Sequence, residues 1–173
     1  MFRIVLAIAF VTALATGVSA QHDHSGHNHA PGEHNSRVPS GLTASDAEGL
    51  LSGAGLGMAR PAEVNGYPGP LHVLELAEPL LLTDEQRETA EQLRAEMLEE
   101  AIPLGRQLID AERSLDAVFL SGTATTDDVE RAVAIAAAAH ARLRAVHLRT
   151  HLAMRDAMTD DQIAAYARLR GYE

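Results

Sequence analysis

The chain has 173 residues, with 24 acidic residues against 14 basic ones, nine histidines, no cysteine and a net charge of −10. That length suits about one domain, an acidic chain without a basic stripe excludes nucleic acid as a partner, and the lack of cysteine excludes disulfides, thiolate metal sites and cysteine nucleophiles. Aromatic residues make up 3% and tryptophan is absent, so the expected core is helical, packed through alanine, leucine and methionine.

The chain opens with Arg3, an apolar run over residues 4 to 15, and the small-residue signal Val18-Ser19-Ala20. This pattern predicts a secretory signal peptide over residues 1–20, cut after Ala20, and hence a periplasmic location. Left uncut, the same segment would serve as an N-terminal membrane anchor. The mature chain carries no Arg3, which makes its net charge −11.

Residues 21 to 41, QHDHSGHNHAPGEHNSRVPSG, hold His22, His24, His27, His29 and His34 among glycine, proline, serine and asparagine. Nothing here can bury a core, which predicts a disordered tail. It is either a solvated leader or an auxiliary metal-scavenging segment, since neutral imidazole binds zinc, copper and nickel. Residues 42 to 66 are rich in glycine and alanine, with GAGLG at 53–57, and read as a linker with at most a helical turn near Asp46 to Leu51. The domain proper is expected over residues 67–173.

That domain begins at the turn Tyr67-Pro68-Gly69-Pro70, followed by a short helix to about Glu78 in which His72 and Glu75 share a face. Thr83 and Gln86 form a capping box, in which a threonine caps the helix and a glutamine at the third position reaches back to the cap. The helix it opens runs to about Leu120, with a seam of Leu93, Met97, Leu104, Ala111, Leu115 and Val118. Glu100 lies within about 20° of Leu93 on the helical wheel and is expected on that seam. Pro103 removes one backbone hydrogen bond and predicts a kink, without ending the helix. Gly122 follows as the residue past the helix end.

A second long helix, over about 126–158, starts at Thr126 with Asp127 and Asp128 in its first turn. Val129, Val133, Ala136, Leu143 and Met154 recur on one face, and His140, His147 and His151 fall on that face too. Thr159 and Gln162 form a second capping box and open a last helix to about Arg170. Folding the two long helices antiparallel about residue 123 places His147 and His151 opposite residues near 99 and 95, beside Met97 and Glu100. Residues 84–100 are acidic where the returning helix carries Arg149 and Arg155, a modest complementarity.

Histidines four apart on a helix emerge one above the other and can share one ion. His147, His151 and Glu100, with Met97, His72 and His140 as further candidates, therefore form a prospective site for a divalent transition metal: zinc, nickel, cobalt or copper. The plain alternative is that these are hydrogen-bonded core histidines, with Met97 and Met154 as packing. Catalysis is not expected: there is no phosphate-binding glycine loop, no arranged triad and little cleft for a hydrolase.

Leu82-Thr83-Asp84-Glu85-Gln86 and Met158-Thr159-Asp160-Asp161-Gln162 resemble the paired LTxxQ motifs of the Spy/CpxP family of periplasmic helical proteins, which includes CnrX-type heavy-metal sensors. The likeness covers about residues 67–173, and the second box departs from the pattern with Met158 in place of leucine. It implies an all-α fold, a long antiparallel helical hairpin with short flanking helices (a hooked hairpin), assembled as a homodimer. It implies one of two roles. One is metal binding for sensing or resistance through histidines, a glutamate and a methionine, signalling to a membrane anti-sigma factor. The other is an ATP-independent chaperone or envelope-stress protein that acts on unfolded clients.

Overall fold

The computed structural model of the protein describes residues 37–172. The expected signal segment 1–20 and the histidines at 22, 24, 27, 29 and 34 lie outside the described residues. Among the described residues the fold is all-α, with six helices: α1 (Ala44–Ser52), α2 (Arg60–Glu63), α3 (Pro70–Glu75), α4 (Asp84–Leu120), α5 (Thr126–Asp156) and α6 (Asp160–Arg170). None of these helices is long and apolar enough to cross a membrane.

Local chemistry sets the helix ends. Thr83 accepts a hydrogen bond from the Gln86 N–H while the Gln86 side chain accepts one from the Thr83 N–H, and Thr159 and Gln162 repeat the arrangement. Two more capping boxes, Thr43 with Asp46 and Thr125 with Asp128, open α1 and α5. The cap of α5 is thus Thr125, one residue before the expected Thr126, because the third position must hold a side-chain acceptor and Asp128 supplies it. α4 continues through Pro103, which stands exposed on its outer side.

α5 packs along α4 in the opposite direction. Arg149 meets Glu100 and Arg142 meets Gln107. Both pairs centre on the loop between residues 124 and 125, later than residue 123, and that shift moves every cross-helix partner by about three positions. Both helices bury small side chains, Ala90, Ala101 and Gly105 on α4 and Ala132, Ala136 and Ala139 on α5. Small residues let helix axes approach closely. The buried positions are rotated from the expected seam and fall on these small residues. Val133 stands 47% exposed, while Leu93, Met97, Leu104, Leu115 and Val118 are half-buried.

The largest departure from expectation is at the N-terminal side. Residues 42–66, expected as a linker, fold onto the long helices. Leu50 of α1 is 2% exposed and shares a core with Met58, Ala101, Leu108, Leu143 and Val146. α1 approaches so closely that a Cβ on Gly105 would overlap the Leu50 carbonyl oxygen. A second core gathers Val73, Leu80, Ala90, Met154, Met158, Ile163 and Tyr166 around α3 and α6. The glycines of this segment hid a packed element, since GAGLG supplies tight turns, with Gly53 and Gly57 at positive φ, rather than slack.

Candidate functional site

Along α5 the two cores are separated by a polar interval. Val146 belongs to the first core and Met154 to the second, and between them the helix buries His147, Thr150 and His151. His147 is 3% exposed and His151 8%. Thr150 satisfies its own hydroxyl on the Val146 carbonyl at 3.1 Å.

The two imidazoles are held differently. His151 Nδ1 lies 2.8 Å from the Tyr67 carbonyl oxygen, which can only accept, so Nδ1 carries the proton and the Nε2 lone pair is left free. Metal-binding histidines are oriented this way, by an oxygen acceptor on the second ring nitrogen. Nε2 of His147 is buried without a hydrogen-bond partner among the described residues. Burial, reinforced by the neighbouring His151, pushes the His147 pKa below its ordinary value. The ring is therefore neutral at neutral pH, the form that can donate a lone pair.

Two glycines keep space beside these rings. A Cβ on Gly69 would sit 2.8 Å from Cε1 and Nε2 of His151, and one on Gly55 would sit 3.4 Å from Nδ1 of His147. A cavity of about 550 Å³ opens there, and His72, Met97, His147 and His151 all line it. The structure thus brings four of the six proposed core ligands to one place.

The other two are elsewhere. Glu100 points outward, 58% exposed at its side chain, and holds Arg149 at 2.9 Å. Fully buried Ala101 occupies the seam beside it, one residue and about 100° of helical rotation away. His140 is exposed and lines a separate surface depression with Arg144 and Pro61. It follows Ala139, which holds the buried position on that turn. Among the described residues, no group of three or more histidine, aspartate or glutamate side chains is arranged to hold a metal ion.

Sequence reasoning missed the opposite wall. His72 Nδ1 donates to Glu63 Oε1 at 2.6 Å. Glu63 also accepts from the Tyr166 hydroxyl at 2.6 Å and the Tyr172 hydroxyl at 3.1 Å, with Arg170 at 3.8 Å. Burial alone pushes the Glu63 carboxyl up; the bonds from Tyr166, His72 and Tyr172 outweigh it and hold the pKa below the ordinary value. Burial and the Glu63 hydrogen bond push the Tyr166 phenol well up in return. This hub joins α2, α3 and the end of α6, and no local pattern announces it. The glycines in GAGLG and YPGP signal only the histidine wall, where Gly55 faces His147 and Gly69 faces His151.

No protein-family model, curated protein or solved structure matches the chain.

Proposed function

We propose that this protein is a periplasmic transition-metal-binding protein for heavy-metal sensing or resistance, of the Spy/CpxP type, with α4 and α5 as the arms of a hooked hairpin and a homodimer as the working form. One observation carries the reading: the buried pair His147 and His151, the first with an unpartnered Nε2 and the second with its Nδ1 proton committed to Tyr67. The ligands would be these two imidazoles with the Met97 thioether, and with His72 once it turns from Glu63. Since Glu100 is engaged outside by Arg149, and Glu63, the carboxylate lining the cavity, is held by Tyr166, Tyr172 and Arg170, the donor set is nitrogen and sulfur rather than nitrogen and oxygen. That favours copper, in particular copper(I), over zinc, nickel or cobalt. The membrane anti-sigma factor implied by the resemblance is the partner of the sensing version of this role.

The test is titration with copper(I), copper(II), zinc and nickel of a chain whose five tail histidines are replaced by serine. One tightly bound equivalent, lost in both His147→Ala and His151→Ala, is expected. Undiminished binding in those variants would remove the core site.

A second reading, an ATP-independent chaperone, has its own support. Phe119 and Leu120 are each 61% exposed, and Val133 and Ile135 are 47% and 54% exposed. Such apolar side chains could shield unfolded clients. Suppression of client aggregation by metal-free protein would favour this role, and its absence at excess protein would reject it.

A further inference from the structure

We infer that the cavity in front of His147 and His151 takes, in the metal-free protein, a small organic anion with a carboxylate head and an apolar body. This goes beyond metal binding and does not depend on it. The chain as a whole is strongly acidic, at −10. The cavity reverses that balance, for it is lined by Arg60, Arg94 and Arg170 against a single carboxylate, Glu63. Glu63 is already committed to His72, Tyr166 and Tyr172, with Arg170 beside it. At most one of the three guanidinium groups is therefore balanced from within.

Two features of these arginines call for an acceptor. Arg94 is half-buried and makes no ion pair or hydrogen bond with any described residue, although α4 is rich in glutamate. Arg170 lies over the Tyr172 ring at 5.7 Å, and its buried Nε has no hydrogen-bond partner among the described residues. A buried donor such as the Arg170 Nε is costly when unpaired, and a carboxylate accepts from guanidinium with strong, charge-assisted geometry. Beside the histidines, Leu56, Leu71, Met97 and Leu98 supply an apolar stretch of wall. A volume of about 550 Å³ exceeds what a lone oxyanion fills and falls in the range of sites for organic ligands.

The test is calorimetric titration of the full chain, treated with chelator, using three probes: octanoate (head and chain), octanol (chain alone) and inorganic phosphate (head alone). Octanoate is expected to saturate at one equivalent, with octanol and phosphate each weaker by about tenfold or more. Arg94→Gln is expected to weaken octanoate by a similar factor, with Arg94→Lys recovering part of it. Arg94 has no structural partner to lose, and an unchanged thermal melt of each variant verifies that. Amide shifts on octanoate binding should map to residues 53–57 and 69–72. Equal affinity for octanol and octanoate would reduce the cavity to an apolar hole, equal affinity for phosphate would remove the organic body, and no saturable binding would overturn the inference outright. Copper titration of Arg94→Gln keeps the two readings apart, since the proposed metal ligands are untouched in that variant.

Discussion

Gln86 and Gln162 form a reciprocal amide pair: Gln86 Nε2 donates to Gln162 Oε1 at 2.9 Å, and Gln162 Nε2 donates to Gln86 Oε1 at 2.8 Å. Each Oε1 also accepts from the backbone N–H of its own threonine cap, Thr83 or Thr159. Each remaining amide proton goes to a backbone carbonyl of the opposite segment, Ala157 or Leu80. Both side chains thereby use both donors and both acceptor positions, the full capacity of an amide. The two LTxxQ-like boxes are therefore one structure, joining the start of α4 to the start of α6.

Replacing either member should cost more than a helix cap. Gln86→Ala leaves the Gln162 amide short of partners and is expected to destabilise by about 1–3 kcal/mol. The double variant Gln86→Ala with Gln162→Ala should cost less than the sum of the singles, because the second change removes an already broken pair. Urea unfolding of the four proteins measures the coupling. Strict additivity would show that the pair is not energetically joined.

Gly105→Ala separates intrinsic helix preference from packing. In an isolated helix the change would stabilise by about 1 kcal/mol. Here the added methyl overlaps the Leu50 carbonyl, a backbone atom that cannot rotate away. Overpacking of this kind costs about 1–3 kcal/mol, so net destabilisation and loosening of α1 are expected. Hydrogen exchange of the α1 amides should rise in the variant, and a more stable protein with protected α1 amides would contradict the packing account.

Gly69→Ala probes the space beside His151. The backbone there is ordinary, at φ −92° and ψ 145°, so alanine is conformationally acceptable. Its Cβ would press on the His151 ring at 2.8 Å and tilt or shift it. Copper affinity is expected to fall by about tenfold or more while the melting temperature changes little, as for loss of ring orientation at other metal sites. Unchanged affinity would place the metal away from Nε2 of His151.

Acid should destabilise the metal-free protein in two stages. The folded-state pKa of His147 lies below its ordinary 6.5, so below that pH the unfolded chain takes up the proton more readily and gains population. Glu63 is likewise held below its ordinary 4.5, so its contribution is present at neutral pH and is lost as pH falls through 4.5 and lower. Urea midpoints across this range should fall in two steps, and His147→Gln should remove only the upper one. A flat profile between pH 7 and 5 would show that His147 gains no proton on unfolding.

The local parts of this fold were legible in the sequence, and the long-range parts were not. Thr83 with Gln86, Thr159 with Gln162, and Gly122 act within four residues of themselves, so spacing suffices to place α4, its end and α6. Burial of His147 and His151 was likewise readable from helical period. The cross-helix register was not, because it depends on where small side chains let two helices meet; a shift of about three residues sent Glu100 to Arg149. Glu63 escaped notice for a similar reason, since its partners His72, Tyr166 and Tyr172 come from α3 and the C-terminal end. α1 was obscured by composition, as glycine and alanine around it suggested slack while Leu50 and Met58 do the packing.

The close seat of α1 on Gly105 has one more consequence. Residues 38–52 behave as a plug: Val38 and Leu42 pack on the first core, Ser40 bonds Asp116, and Leu50 closes over the glycine notch. A chain beginning at Ala54 would retain both long helices with an open slot shaped for that segment. A synthetic peptide of residues 37–54 should therefore bind the shortened chain in trans and raise its melting temperature, while the same peptide carrying Leu50→Asp should not. Failure of the unmodified peptide to bind would show that the segment's seat does not persist without the covalent link.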